Sequence, residues 1–237
     1  MSRISNEVKH GKYLANNPAV YWGWAGEVGR TRLKRRANML SEGLSGNVLE
    51  VGCGSGLFTT EIIKSEFHLT AIDISPDLLQ LAKQAVSDQK NVVFRLEDVH
   101  STSFLNDSFD AIIGSSVLHH LDLDLALKEI FRILKPGGTI RFTEPNYLNP
   151  QIAIQKSHPF IRQMFHESPD ETAFLKWKLK KDLITNGFSE VFIENFDFLH
   201  PKIPKTLLDL MNKVTNSIEK LPILKEISGS LFITARK

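Results

Sequence analysis

The sequence predicts a doubly wound α/β protein, with a mostly parallel sheet and helices on both faces. Two observations predict it. Short apolar, β-branched runs alternate with amphipathic stretches from residue 48 to residue 144, a spacing that calls for right-handed crossovers between parallel strands. The first run, Val48 to Val51, also passes straight into Gly52-Cys53-Gly54-Ser55-Gly56 and then into a helix-forming segment. Glycine suits such a turn because a side chain would hold a ligand off the backbone and because the turn can require positive φ. The three glycines alternate with single residues, unlike the Gly-x-Gly-x-x-Gly of dinucleotide-binding turns. An acid, Glu50, stands two residues before the first glycine.

The elements follow in order. Gly29 to Leu40 reads as a basic helix whose Leu33, Ala37 and Leu40 make an inward face. Its arginines are either a solvated face or cations that help cover a substrate with an acidic group. Leu57 to Lys64 is the helix after the glycine turn, and Leu69 to Asp73 the second strand, ending on an acid. Ser75 caps the next helix, with Pro76 at its first position and Asp77 in its first turn. Asn91 to Arg95 is the third strand, followed by Leu96-Glu97-Asp98-Val99, and Phe109 to Ser115 is the fourth. Asp122 caps a strongly amphipathic helix that closes at Lys135-Pro136-Gly137-Gly138, and Thr139 to Glu144 is the fifth strand. From Pro145 to Trp177 the pattern loosens into a long segment of the kind that forms a lid. Lys178 to Asn186 is a helix, Val191 to Phe196 a sixth strand, and Ser230 to Ala235 the last; an amphipathic helix at 204–221 is inserted before it.

Composition sets outer bounds. At 237 residues, 42% hydrophobic and 24% charged, the chain is long enough for one well-buried α/β domain. The expected division is an N-terminal cap over 1–44, a core over 45–145, a lid over 146–177 and a C-terminal part of the sheet over 178–237. A net charge of +2 does not imply nucleic acid. The lone Cys53 rules out an internal disulfide framework and fits a reducing compartment. No apolar run approaches the ~18 residues of a membrane span, and Met1 to Lys12 lacks the apolar stretch of a signal peptide. A cytoplasmic protein is expected, as a monomer or a homodimer.

Four motifs in order resemble the class I S-adenosylmethionine-dependent methyltransferases, in the small-molecule branch. Val48 to Gly56 (VLEVGCGSG) is similar to the family's glycine-rich loop. Asp73, 19 residues beyond Gly54, stands where the family has its ribose-binding acid. Leu96 to Val99 matches the turn that contacts adenine, and Leu134 to Thr139 the turn before strand five. The resemblance implies a Rossmann-like sheet of seven strands and S-adenosyl-L-methionine as cofactor, with S-adenosyl-L-homocysteine as product. It implies cofactor contacts at Glu50, Gly52, Cys53, Gly54, Gly56, Asp73, Ile74, Leu78, Asp98, Val99 and Ser115. The chemistry agrees: a sulfonium, a ribose diol and an adenine need backbone approach and carboxylates, not a phosphate-binding helix terminus. The stretch after strand four, Gly114-Ser115-Ser116-Val117-Leu118-His119-His120, lacks the Asn-Pro-Pro-Tyr motif of members that methylate amino groups on bases.

Methyl transfer to carbon-, oxygen- or nitrogen-centred nucleophiles is mainly positioning, with a base needed only where the nucleophile loses a proton. The candidate bases are His119, His120 and Glu144, with His158 and His166 in the lid; of the adjacent His119 and His120, one is expected to face the pocket. No metal is expected. Tyr21, Trp22, Trp24 and Tyr147 are the candidates to line the pocket of a small-molecule acceptor, and Tyr13, Phe160, Phe165 and Trp177 can join them. Cys53 reads as a small turn residue, not a nucleophile. Three other readings remain open at this point. They are an RNA methyltransferase recruited by the Arg30–Arg36 helix, a non-catalytic cofactor-binding protein, and a nucleotide-dependent oxidoreductase, which the glycine spacing disfavours.

Overall fold

A computed structural model describes residues 3–63, 67–87, 91–157, 159–164, 171–200 and 203–237. Seven strands form one sheet in the order β3-β2-β1-β4-β5-β7-β6. β1 (Asn47–Val51) lies between β2 (His68–Asp73) and β4 (Phe109–Ser115), parallel to both, with Val48 beside Leu69 on one side and Ala111 on the other. β3 (Val92–Leu96) and β5 (Leu134–Pro145) extend the parallel part, and β7 (Ser230–Arg236) runs antiparallel between β5 and β6 (Ser189–Phe196).

Helices cover both faces, which is why the central strands read as unbroken apolar runs. On one face Leu49, Ile112, Ile140, Phe142 and Ile233 meet α6 (Leu123–Ile133) through Ala126, Leu127, Ile130 and Ile133, and α9 (Lys176–Thr185) through Leu179 and Leu183. On the other, Val48, Ala111 and Ile113 meet Ala37 and Leu40 of α3 (Glu27–Ser41) and Ile62 of α4 (Leu57–Ile62). The inward stripe expected on the basic helix is therefore the stripe that packs. Truncating a core side chain such as Ile130 would cost about 2–5 kcal/mol. The two anticipated caps form: Ser75 Oγ accepts from Leu78 N at the start of α5 (Pro76–Ala85), and Asp122 from Leu125 N at the start of α6.

Two local expectations differ from the structure, at the start of strand five and in the loosened segment. Strand five begins at Leu134, not Thr139: Leu134 pairs with Phe109 and Thr139 with Ala111, so Lys135 to Gly138 bulge out of the ladder instead of closing the helix before it. The N-terminal cap contains α1 (Arg3–Leu14) and α2 (Pro18–Tyr21) ahead of α3. The loosened segment contains α7 (Pro150–Ser157) and α8 (Pro159–Met164), so much of it is helical and not loop. No helix among the described residues is long and apolar enough to cross a membrane.

Candidate functional site

The connections reverse between β1 and β4, where an open α/β sheet leaves a crevice beyond its strand ends. A cavity of about 360 Å³ occupies that crevice. Its floor is the loop after β1, with Gly52 at φ 68° and Gly54 at φ 52°. Both lie in the left-handed region, and a Cβ on Gly52 would come 2.5 Å from Val117. Gly56, at φ 80°, packs on Ala82 of α5 and does not line the cavity. Glu50 also stands behind the loop. It is 3% exposed and accepts a 2.7 Å hydrogen bond from Thr59 on α4, and burial pushes its carboxyl up to about 7. Its place makes it a brace between β1 and α4. Cys53 is buried, and burial together with the charges of Asp73 and Glu50 pushes its thiol well up, so it is no nucleophile.

The second and third strands end in acids on the cavity wall. Asp73 Oδ2 accepts from Gly54 N at 2.7 Å and Oδ1 from Ser75 N at 2.8 Å, so one carboxylate ties the glycine loop to the start of α5. Ile74, Leu78, Val99 and Ser115 line the same wall. Asp98 Oδ1 accepts from His100 N and meets His100 Nδ1 at 2.6 Å. His100 Nε2 accepts from Asp122 N, so its proton sits on Nδ1 and Asp98 is oriented from behind. Sequence reasoning missed His100, whose only signal is its position two residues after Asp98. The wall carries Asp73, Glu97 and Asp98 and, among the described residues, no lysine; Arg3 enters from α1. Glycines that let a ligand reach the backbone, together with these carboxylates, fit a cationic, hydroxyl-bearing, phosphate-free molecule such as S-adenosylmethionine.

The far end of the cavity is polar and built around the Leu118–His120 turn. Glu144, fully buried on β5, accepts from Val117 N (2.9 Å), Leu118 N (2.8 Å) and the ring of His119 (Nδ1, 2.7 Å). It does not itself line the cavity. Burial pushes Glu144 up to about 7. Burial and the neighbouring charge of His120 hold His119 well below its usual value, so that ring stays neutral with Nε2 as its open position. His120 lies 3.0 Å from Glu7 on α1 and 3.9 Å from Glu171. Burial works to lower its pKa, but Glu7 and Glu171 outweigh it and raise it. Burial likewise works to raise Glu171, yet the positive charges facing it, His120 and Lys156 among them, bring it down to about 2. The donors of His119, His120 and Glu171 lie within 4.8 Å of one another, the layout of a cation site. The Lys156 ammonium, 2.7 Å from Glu171, already partners that carboxylate.

Both histidines line the cavity, where only one was expected; their rings sit side by side, 4.2 Å apart. Tyr21, Trp22 and Trp24 line it too, Trp22 lying over Gly54 and Trp24 edge-on to Phe58. Tyr147 is not brought there: it is 41% exposed and faces a second cavity beside Phe174. Phe160 and Trp177 stand exposed at the surface, and His158, Phe165 and His166 lie outside the described residues. On the basic helix Arg30 and Lys34 stand exposed, as a solvated face would, but three arginines answer to neither expectation. Arg32 and Arg36 converge on Asp197, Arg35 forks onto Glu219, and Arg36 is 4% exposed beneath Trp24 and Phe196. These cations hold α3 to the far edge of the sheet and are not available to cover a substrate or RNA. The inserted helix α10 (Leu208–Ile218) joins this edge through Glu219 and lines neither cavity.

Comparison with known proteins agrees with this geometry. Residues 49–142 match a methyltransferase domain family. A demethylmenaquinone methyltransferase of Tropheryma whipplei is 30% identical over 202 residues, spanning 71% of this chain and 84% of that protein. Nodulation protein S of Rhizobium tropici is 30% identical over 126 residues, 50% of this chain and 52% of its own. The chain spans about half the length or less of some curated relatives it matches. The N-methyltransferase NodS of Bradyrhizobium japonicum, solved with S-adenosylhomocysteine, shares the fold with a TM-score of 0.66 at 18% identity over 98% of both chains. With the glycine loop, the strand-end acids and the seven-stranded sheet, these matches show that the chain belongs to the class I S-adenosylmethionine-dependent methyltransferases.

Proposed function

We propose that the protein moves the methyl group of S-adenosylmethionine to a small-molecule acceptor bound at the His119–Glu171 end of the cavity. The observation that carries this reading is the continuity of one cavity from the Asp73 and Asp98 wall to that polar end. When bound, the cofactor supplies an electrophilic methyl on a good leaving group. Asp73 takes the ribose hydroxyls, Asp98 the adenine amino group, and Leu78 and Val99 the faces of the ring, while Gly52 to Gly54 let the ligand reach the backbone. At the acceptor end, His119 accepts the proton of the nucleophile at Nε2. Glu144 acts through His119, holding its proton on Nδ1. The α1 residues Glu7 and His10, with Trp22, close the opposite side and exclude water. The demethylmenaquinone and NodS relatives, whose names describe methylation of small acceptors or of nitrogen, support a small acceptor in this protein too.

The test is incubation of the full chain with methyl-labelled cofactor and a cell extract. Label is expected in the small-molecule fraction, and lost with Asp73→Ala. Label confined to protein or RNA, or none at all, would overturn the reading.

A further inference from the structure

Beside the cofactor cavity lies a second one, about 610 Å³, between the start of α6 and the 172–175 segment. Its floor is apolar: Leu118, Leu121, Leu123, Ala173, Phe174 and Leu175 face it, and Asp122, Asp124, Asp182 and Lys178 rim it. Tyr147, the aromatic that the cofactor cavity does not use, stands at its edge.

Three features tie this groove to the acceptor end. Arg3 and Leu121 line both cavities, so the two adjoin at these side chains. The Arg3 guanidinium donates to the His119 carbonyl (3.3 Å), which also accepts from Thr172 N and Oγ1 at 3.2 Å. One carbonyl of the catalytic turn thus anchors both Arg3 and the groove wall. That wall is also built in: Asn146 bridges Phe174 in parallel, Tyr147 N donates to Phe174 O at 2.9 Å, and Phe174 N donates to Pro145 O at 3.0 Å. The groove is therefore registered against the last turn of β5, the strand that carries Glu144.

We propose that the groove holds the apolar extension of the methyl acceptor, and that the acceptor is an amphipathic molecule. Its polar, proton-bearing head sits among His119, His120 and Glu171, and an alkyl or polycyclic tail passes over Leu121 toward Phe174 and Tyr147. Arg3 moves aside or lies along the junction between head and tail. This rests on the methyl-transfer reading for the position of the head, but the tail site is tested by binding alone. The chemistry selects the occupant. An apolar floor rewards each buried methylene, and a lining of three aspartates against Lys178 and Arg3 gives an anionic chain no net attraction.

The experiment measures binding of 4-ethyl-, 4-butyl- and 4-hexylresorcinol to the full chain saturated with S-adenosylhomocysteine, by calorimetry. Each added methylene is expected to tighten binding about two- to fourfold in the wild type. Ala173→Phe, which fills the groove, is expected to flatten that dependence while leaving S-adenosylhomocysteine affinity unchanged. Tyr147→Ser, at an exposed position that tolerates change, is expected to weaken the hexyl compound more than the ethyl one. Affinity that does not rise with chain length would overturn the proposal. So would a chain-length dependence that survives both substitutions, since the tail would then bind elsewhere. A preserved dependence that these substitutions abolish, in a protein that labels no small molecule, would uphold the groove and sink methyl transfer, so the two readings fail separately.

Discussion

Asp73→Ala tests the cofactor wall most directly. In the wild type, Asp73 makes two charge-assisted bonds to backbone, at 2.7 Å from Gly54 N and 2.8 Å from Ser75 N, and lines the cavity. A hydrogen bond to a charged group contributes about 1.5–3 kcal/mol. Losing two of them to the ribose hydroxyls weakens the cofactor by about 3–6 kcal/mol, on the order of 10²- to 10⁴-fold in Kd. Gly54 is buried but lines the cavity, so a water there can replace the lost partner and the fold loses less than the ligand does. An apparent loss of about 1–3 kcal/mol in the unliganded protein corresponds to a Tm decrease of roughly 2–12 °C for a chain of this size. Asp73→Asn keeps one carbonyl acceptor but turns an N–H donor toward a backbone N–H, and falls between the two. The assay is calorimetric titration with S-adenosylmethionine and S-adenosylhomocysteine, with unliganded thermal unfolding as the control for folding. A folded Asp73→Ala protein that binds within about threefold of the wild type would refute the assignment, because the carboxylate would then serve only the loop.

Three further outcomes follow from the same geometry. Glu144→Gln turns an amide N–H toward His119 Nδ1 and drives the ring proton to Nε2; kcat should fall by about 10²- to 10⁴-fold, with S-adenosylhomocysteine affinity nearly unchanged, and a rate close to wild type would remove His119 as the base. His120 carries a pKa raised above its usual 6.5, so its stabilising contribution is full below pH 6.5 and is lost as pH rises through the folded value. The Tm advantage of wild type over His120→Gln should therefore be larger near about pH 6 than near about pH 9, and an advantage that grows with pH would contradict the Glu7–His120–Glu171 contact. Asp197→Ala strands the buried Arg36 guanidinium and should cost about 3–5 kcal/mol, read as a shift of the urea midpoint; a change under about 1 kcal/mol would mean that water reaches Arg36.

Much of the cofactor end was legible in the chain because it is local. A glycine that must adopt positive φ, an N-cap such as Ser75 and an acid at a strand end all depend on residues within a few positions, and the strand–helix alternation arranges these ends along one edge of the sheet. The arginines of α3 were not legible. Their partners, Asp197 and Glu219, lie more than 160 residues away, and nothing in the local pattern distinguishes a solvated cation from one folded into an ion pair. Tyr147 carried a sequence signal for a pocket, but not for which pocket, because that depends on the Asn146–Phe174 bridge.

The same division runs through the Gly52–Gly56 loop and the His119–His120 turn. By itself the sequence determined the doubly wound sheet, the glycine loop and the acids that suit a phosphate-free sulfonium cofactor, since periodicity and backbone preference act at short range. Only the tertiary structure decided that Glu50 braces the loop from behind, that Glu144 holds His119 across 25 residues, and that α1 lines the cavity. Those outcomes depend on which side chains lose their water together, and burial of that kind is a property of the packed chain.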